Sequence, residues 1–353
     1  MTTLVAKAPR PVVLRPAIVL VVLLLGLMGC GETSKVVELQ GSIYGTGWSL
    51  VYLPDESAPA SQVVEAEVLA AFDVVDISMN TYDPLALISE FNALPPEKAM
   101  EVDWDFTYVL SEAVKITQLT EGAYDVTVAP LVELWGFGPG GPTNIPTEAA
   151  IAITREAVGL NRLDWRPNIR SLSKRVKGVS LEFSSIAKGY GVDLAADALD
   201  ELGIKNFMLE VGGELQLRGH SPRGDAWRIA VERPEQGRGN FQTAVNVSNV
   251  GVATSGDYRN YFEHEGQRYS HIIDPRTGYP VQHDLVSVTV IHPSTALADA
   301  WATALCVLGT EKALELSERL GLAVYLVHRE VDSLKAVWST KFAPFLASNA
   351  ASG

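Results

Sequence analysis

Segments with helical periodicity alternate along this chain of 353 residues with segments that have the two-residue periodicity of strands. Helix-like apolar spacing covers residues 61–79, 104–120, Ser185 or Ile186 to Leu202, Thr295–Leu308 and Glu311–Leu320. Strand-like segments are Trp48–Leu53, Phe207–Val211, Trp227–Val231, Ala244–Val247, Leu285–Ile291 and Ala323–Val327. This interleaved order predicts a mixed fold, α/β or α+β, in one compact two-lobed unit without a long linker or an internal repeat.

The charge balance and the cysteine count exclude several classes of protein. The chain has 28 Lys and Arg against 42 Asp and Glu, which gives a net charge of −14. A general nucleic-acid binder needs basic residues to neutralise phosphates, so we expect no nucleic-acid partner. Two cysteines are too few for a disulfide framework or a cysteine-rich metal site, and Cys306 lies in an apolar stretch that predicts a buried thiol.

The first thirty residues have the features of an export signal. Three basic residues precede a 12-residue apolar run, Ala17–Met28, which is shorter than the roughly 20 residues that a transmembrane helix needs. Because Leu27-Met28-Gly29-Cys30 resembles a bacterial lipobox, we expect residues 1–29 to be removed as a lipoprotein signal peptide. Cys30 would then carry the lipid, and residues 30–42 would form a polar spacer. A plain signal peptide and a short anchor are the alternatives.

Two short motifs suggest functions that their surroundings oppose. Residues 136–141 match G-x-G-x-x-G, but Pro139 removes a donor and no strand is predicted before the motif, so a loop fits better than a dinucleotide site. Ser185-Ile186-Ala187-Lys188 matches the S-x-x-K of penicillin-recognising serine enzymes, and residues 276–278 could replace K-T-G. No S-D-N lies between them, which leaves that activity as a runner-up.

Asp299 and Thr303 are four residues apart in a predicted helix, so their oxygens lie on one face. A carboxylate with a hydroxyl is a pair of hard oxygen ligands that Mg²⁺ accepts, completed by carbonyls, water and substrate phosphates. The alternative is structural: Asp299 would complement the helix dipole and Thr303 would bond to its own backbone.

His271 and two glycine-containing loops are further candidates. His271 lies where a strand-like run meets a Pro/Gly turn, which suits a general base, although a structural histidine is the alternative. Val211–Glu214 and Thr254–Tyr258 are predicted to be loops of small residues beside strands. Such loops let the backbone approach a phosphate or a ring, or they simply form tight turns.

Taken together, these segments resemble the ApbE family of FAD:protein FMN transferases over nearly the whole mature chain. The matching blocks are Gly122–Asp125 with Val128–Val132 and Leu134–Gly138, Ile186–Tyr190, Val211–Glu214, Thr254–Arg259, His271–Gly278, and Ala298-Asp299 with Thr303. The resemblance implies an ApbE-like, T-fold-like α+β domain over residues 43–346. The low-complexity composition of residues 347–353 predicts a disordered tail.

The family resemblance also implies an activity and a location. The protein would take FAD, transfer its FMN half to a Ser or Thr hydroxyl of a target protein and release AMP, with Mg²⁺ as the metal. It would be anchored by lipid at the periplasmic face of the inner membrane. Its partners would be flavoprotein subunits of Rnf or of the sodium-translocating NADH:quinone reductase. A non-catalytic FAD-storage lipoprotein and an FAD pyrophosphatase are the alternatives.

The site residues follow from the same resemblance, position by position. The metal ligands would be Asp299, Thr303 and the backbone carbonyl of Ser185, and His271 would be the base for the target hydroxyl. The FAD contacts would be Tyr44, Tyr82, Ala123, Tyr124, Asp125, Glu182, Lys188 and Ile273, with the Tyr82 ring stacked on the isoalloxazine.

The chain departs from the family pattern at a few of these positions. Tyr44 replaces a Met, Ala86-Leu87 replaces a Ser-Glu pair, and Glu182 replaces an Asp. Ala302 occupies a place that is acidic in some relatives, so we expect the metal to depend more heavily on Asp299.

Overall fold

The strands and helices below come from a computed structural model that describes residues 36–138, 145–232, 241–258, 260–331 and 333–347. The predicted signal peptide, Cys30, the second half of the glycine-rich loop and residues 348–353 lie outside these ranges. In the described part, no helix has both the length and the apolar character needed to cross a membrane.

The chain forms strands and helices in alternation, as the sequence predicts. The strands are β1 (Val37–Ile43), β2 (Thr46–Tyr52), β3 (Met100–Glu101), β4 (Leu163–Arg166), β5 (Ser171–Lys174), β6 (Phe207–Val211), β7 (Glu214–Arg218), β8 (Trp227–Glu232), β9 (Phe241–Val247), β10 (Val250–Gly256), β11 (Tyr261–His264), β12 (Gln267–Ser270), β13 (Ile273–Asp274), β14 (Tyr279–Pro280), β15 (Leu285–His292), β16 (Ala323–Glu330) and β17 (Ser333–Trp338). The helices are α1 (Ser61–Met79), α2 (Leu87–Ala93), α3 (Trp104–Leu119), α4 (Ala129–Leu134), α5 (Glu148–Arg155), α6 (Ala187–Glu201), α7 (Thr295–Leu308) and α8 (Thr310–Leu320).

One antiparallel sheet organises the fold. Its strand order is β1-β2-β6-β7-β10-β15-β16-β17, and every neighbouring pair is antiparallel. β15 is buried at every position except its last residue, because both faces of this central strand are covered. The mixed α+β fold in one compact domain is therefore confirmed.

Helices α6 and α7 pack tightly together beside the sheet. Eleven of the 14 residues of α7 are buried, and many of them are alanines that allow close approach. At Gly189 of α6, an added Cβ would lie 2.5 Å from the carbonyl oxygen of Thr295 and 2.8 Å from the Cα of Ala296. The Asp193 carboxylate accepts hydrogen bonds from the backbone N–H groups of Thr295 (2.7 Å) and Ala296 (3.0 Å), so it caps the N-terminus of α7.

Three expectations from the sequence are wrong at the level of single segments. Residues 37–42 of the predicted spacer belong to β1, the edge strand of the main sheet. Residues 254–256, predicted as part of a loop, are the end of β10. Ala347, predicted to begin a disordered tail, is buried, and its N–H donates to the carbonyl of Ala244 at 3.0 Å.

Replacing Gly189 by Ala is expected to lower the free energy of unfolding by about 1–3 kcal/mol, because the new methyl group would collide with backbone atoms of α7. Gly47→Ala in β2 is the matched control, since its Cβ would meet only the carbonyl oxygen of Gly41 at 3.8 Å. Urea unfolding of the two variants measures the difference. Equal urea midpoints for the two variants would show that α6 and α7 can move apart without a loss of stability.

Candidate functional site

A cleft of about 380 Å³ opens where β7 begins and β10 ends, beside the N-terminus of α6 and the middle of α7. All of the non-lipid site residues predicted from the sequence line it except Tyr44. They are Tyr82, Ala123, Tyr124, Asp125, Glu182, Ser185, Lys188, His271, Ile273, Asp299 and Thr303. Segments far apart in the chain thus meet in one concave surface of a size that suits a small-molecule substrate.

Lys188 lies between two acidic side chains in the lining of the cleft. Its Nζ is 3.1 Å from Oε1 of Glu214 and 3.5 Å from Oδ2 of Asp299. Burial alone lowers the pKa of Lys188, but the two carboxylates outweigh this effect and raise the pKa, so the ammonium group is charged at neutral pH. The cluster therefore holds one ammonium group in a fixed position between two carboxylates.

Asp299 is held by α6 as well as by its own helix. The backbone N–H of Gly189 lies 3.4 Å from Oδ2 of Asp299, and the Asp299 side chain is only 4% exposed. Since α7 begins at Thr295, Asp299 lies beyond the first turn. The structural alternative, an acid in the first turn that complements the helix dipole, does not describe this position.

Thr303 lies one turn after Asp299 and faces the same cleft. Its Oγ1 is 3.0 Å from the Oγ of Ser255 on β10. The hydroxyls of Thr254 and Thr289 are also 2.9 Å apart, but Thr289 is not part of the cleft lining. The cleft wall therefore carries the hydroxyls of Ser255 and Thr303 beside the Asp299 carboxylate.

The predicted metal ligands form a small set of oxygen donors. They comprise the Asp299 carboxylate, the Thr303 hydroxyl and the Ser185 carbonyl. Within the described ranges there is no group of three or more His, Cys, Asp or Glu side chains that could hold a metal ion. A donor set with one carboxylate suits Mg²⁺, which keeps several waters and takes further oxygens from substrate phosphates.

Tyr124, Asp125 and Glu182 also line the cleft. The Ser185 hydroxyl donates to the hydroxyl oxygen of Tyr124 at 3.0 Å, and Asp125 accepts from the backbone N–H (2.8 Å) and hydroxyl (2.6 Å) of Thr127. Burial raises the pKa of all three side chains, most of all that of Tyr124. Glu182 also accepts a hydrogen bond from the Ser184 hydroxyl, which opposes the effect of burial.

His271 follows β12 directly and has a defined tautomer. Its Nδ1 is 2.9 Å from the backbone oxygen of Asn260. Because a carbonyl only accepts hydrogen bonds, Nδ1 of the neutral ring carries the proton, and Nε2 is the nitrogen that can accept one. This is the state that a general base requires.

A ladder of aromatic rings supports His271. The His271 ring lies edge to face against Phe137, with 6.3 Å between the ring centres. The ring centres of Phe137 and Phe262 are 5.4 Å apart. Phe262 stacks on Tyr269 at 5.2 Å, and Tyr269 stacks on Trp135 at 5.5 Å. The ladder joins the β11–β12 hairpin to the segment after α4 and so restricts where the imidazole can move.

Tyr44 lies apart from the cleft lining. It has a left-handed backbone with φ 52°, in the turn between β1 and β2. Its hydroxyl donates to the carbonyl of Phe72 at 2.7 Å, and its ring contacts Phe72 edge to face at 5.9 Å. In this structure Tyr44 fastens the first hairpin to α1.

Several lining residues were not assigned a role from the sequence. Glu214 begins β7 after the two-residue turn of Gly212 and Gly213, whose φ values of 61° and 106° favour glycine. The sequence shows this turn as a small-residue motif, but the contact between Glu214 and Lys188 depends on the tertiary fold. The same holds for Ser255 and Phe137, which lie in recognised motifs, and for Asn260.

The chain matches known proteins over most of its length. The family model described as the ApbE family matches residues 44–326. This chain belongs to the ApbE family. A relative from Haemophilus influenzae, named FAD:protein FMN transferase, is 42% identical over 318 residues, or 88% of this chain and 92% of that protein. The relative of the same name from Escherichia coli K12 is 37% identical over 320 residues, with 90% and 91% covered.

Solved structures of ApbE proteins also share the fold. The flavin transferase ApbE from Vibrio cholerae superposes with a TM-score of 0.83 at 37% identity, covering 88% of this chain and 99% of that one. The ApbE protein from Thermotoga maritima gives a TM-score of 0.80 at 27% identity, with 89% and 100% covered. The family and the fold expected from the sequence motifs are therefore confirmed.

Replacing Glu182 by Gln is expected to raise the free energy of unfolding at neutral pH. A carboxyl whose pKa is raised by folding destabilises the fold as the pH rises above its unfolded pKa of about 4.3, because the folded state resists ionisation. The gain should therefore shrink as the pH falls towards about 4. Urea unfolding from pH 4 to 8 measures it, with Glu67→Gln, at an exposed position on α1, as the control. A loss of stability at neutral pH would contradict the burial argument.

Proposed function

We propose that this chain transfers the FMN half of FAD to a Ser or Thr hydroxyl of a target protein and releases AMP. In that reaction the hydroxyl oxygen forms a bond to the FMN-side phosphorus, and the bond from that phosphorus to the bridging oxygen breaks. AMP leaves with the bridging oxygen and the electron pair, and the hydroxyl proton passes to His271. Phosphoryl transfers of this kind depend mainly on positioning and on charge stabilisation.

One observation carries the proposal. A single cleft contains an imidazole with Nε2 as its accepting nitrogen and, in the same lining, the ion-paired cluster of Lys188, Glu214 and Asp299. The imidazole suits the proton transfer, and the ammonium group together with a bound Mg²⁺ would suit an anionic diphosphate. The names of the relatives from Haemophilus influenzae and Escherichia coli supply the substrate, FAD, and the product, an FMN-bearing protein.

Different residues of the cleft would contact different parts of FAD. Tyr82, 72% exposed at the rim, offers an aromatic face to the isoalloxazine. Backbone and side chains at Ala123, Tyr124 and Asp125 would line the flavin together with Ile273. The side chains of Glu182 and Lys188 would meet the polar parts of the substrate.

Asp299, Thr303 and the Ser185 carbonyl would hold Mg²⁺, since their oxygens are of the type that this ion prefers. When bound, Mg²⁺ supplies neutralisation of the negative charge that develops on the phosphate oxygens. Lys188, whose Nζ lies 3.5 Å from Oδ2 of Asp299, would help to position that carboxylate.

We further propose the location and the partners that the family resemblance implies. Cys30 would be the lipid-bearing residue after removal of residues 1–29, and the domain would lie at the periplasmic face of the inner membrane. Its acceptors would be flavoprotein subunits of Rnf or of the sodium-translocating NADH:quinone reductase. Metabolic labelling with a radioactive fatty acid tests the anchor, because Cys30→Ser would abolish the label if Cys30 carries the lipid.

An acceptor assay tests the activity. Purified protein is mixed with FAD, Mg²⁺ and either a folded acceptor domain of one of these subunits or a short peptide with a Ser/Thr-Gly-Ala-Ser/Thr sequence. A mass gain of one FMN on the acceptor, with one AMP released per transfer, is expected. Unchanged FAD would indicate a storage protein, and FMN with AMP but no labelled acceptor would indicate a pyrophosphatase.

Asp299→Ala is expected to lower Mg²⁺-dependent transfer by at least about 100-fold, because even groups that only support a metal ligand are worth about 10- to 100-fold. Asp284→Ala, at an exposed position before β15, is the matched control. Transfer rates over a range of Mg²⁺ concentrations measure the effect, and near-ultraviolet circular dichroism checks the fold. Full transfer activity of the Asp299→Ala variant would show that Asp299 is not a required Mg²⁺ ligand.

His271→Ala is expected to lower transfer by about 10²- to 10⁴-fold, the usual contribution of a general base, while FAD affinity is retained. His264→Ala, an exposed histidine at the end of β11, should leave both quantities unchanged. Transfer rate and FAD titration are measured on the same preparations. Loss of FAD binding by His271→Ala would instead assign the imidazole to the cofactor.

A further inference from the structure

A second concave surface, a shallow groove of about 480 Å³, has exposed apolar side chains in its lining. Three of them are large: Leu85 is 82% exposed, Trp104 is 70% exposed and Ile77 is 68% exposed. Elsewhere in the described ranges, large apolar side chains that are more than 60% exposed are Tyr82, Ile153, Ile169 and Val331. A concentration of such groups in one groove indicates a surface that another molecule covers.

The exposed leucine belongs to an ordered loop. Leu85 lies between α1 and α2, where its N–H donates to the Asp83 side chain at 2.9 Å. The next residue, Ala86, is fully buried, and its N–H donates to the carbonyl of Asp83 at 3.2 Å. The loop therefore holds the leucine side chain in solvent, although burying it would be favourable.

The groove and the catalytic cleft share this loop. Tyr82 lines the cleft, and Leu85 lines the groove. Three residues span at most about 11 Å, so the two surfaces are neighbours. A protein whose hydroxyl enters the cleft extends beyond the cleft, and the groove is within reach of its flanking residues.

The charges around the groove distinguish between possible occupants. Its lining includes the carboxylates of Glu90, Glu101 and Asp103, and Arg170 is a cation in the same lining. Arg170 is already paired with Glu101 and lies 4.5 Å from the centre of the Trp104 ring. An acidic rim is repelled by the anionic surface of a membrane, and it attracts basic residues of a protein.

From these contacts we infer that the groove docks the acceptor protein, through apolar and basic residues that flank its acceptor hydroxyl. The inference rests on the proposed function, since it requires a protein acceptor in the cleft. Trp104 and Leu85 supply the contact area, and Trp104 is of the residue type that most often dominates the affinity of an interface. The groove thus selects the acceptor, while the cleft carries out the chemistry.

The test compares a folded acceptor domain with a short acceptor peptide. Leu85→Ser and Trp104→Ser are each expected to lower kcat/KM for the domain by about tenfold or more, mainly through KM. Transfer to the peptide and the affinity for FAD should be unchanged, because both involve only the cleft. Val331→Ser, at an exposed apolar residue beyond β16, is the matched control.

A direct binding measurement removes any dependence on turnover. The acceptor domain with its acceptor hydroxyl replaced by alanine should bind the Leu85→Ser and Trp104→Ser variants about tenfold or more weakly than the wild-type protein. Equal affinity for wild type and variants would overturn the docking inference, and so would equal kcat/KM. Absence of transfer from wild-type protein to both acceptors would instead overturn the proposed function.

The other possible occupants give different results in the same experiments. If the groove binds lipid, wild-type protein without its lipid anchor sediments with anionic vesicles, and the variants do so less. If it binds a second copy, sedimentation equilibrium shows a dimer that the variants lose. Either result, with the affinity for the acceptor domain unchanged, overturns the inference.

Discussion

The close contact between α6 and α7 is the interaction on which the candidate site depends. Gly189 lets the two backbones approach, and Asp193 joins the helices through the N-terminus of α7. As a result Lys188 on α6 and Asp299 on α7 come within 3.5 Å of each other. Neither residue would have a fixed position in the cleft if the helices were separated by one additional side chain, because their charged atoms would then be solvated instead of paired.

Partial burial of the charges of Lys188, Glu214 and Asp299 costs free energy. Desolvation opposes the charged form of Lys188, and the carboxylates of Glu214 and Asp299 compensate for it. A hydrophobic cluster of the same volume would often be equally stable or more stable. The arrangement is better explained by function, since the two carboxylates hold the Lys188 ammonium group in a fixed position in the cleft before a substrate arrives.

Sequence periodicity predicts elements whose burial follows a regular pattern, and it fails where burial is irregular. Helices α1 and α7 have the bounds that the apolar spacing predicts, Ser61–Met79 and Thr295–Leu308. Strand β1 has no buried residue, since it lies at the sheet edge, so its residues resemble a polar spacer. Asp299 and Thr303 could be paired by helical spacing, whereas Glu214 reaches Lys188 only through the sheet and α6. The exposure of Leu85 and Trp104 depends on tertiary packing, which cannot be predicted from their apolar residue types.

The net negative charge of the chain affects binding differently at the cleft and at the groove. A net charge of −14 repels a dinucleotide at long range, but over distances beyond about 8–10 Å salt screens most of that repulsion. Inside the cleft, the Lys188 ammonium group acts over a few ångströms, but it is shared with the carboxylates of Glu214 and Asp299, so favourable binding of a diphosphate would also depend on the proposed Mg²⁺. The same net negative charge favours a basic protein partner at the groove. On these proposals, one acidic chain binds an anionic small molecule and a basic protein segment at neighbouring sites, because the first interaction is short-ranged and the second is long-ranged.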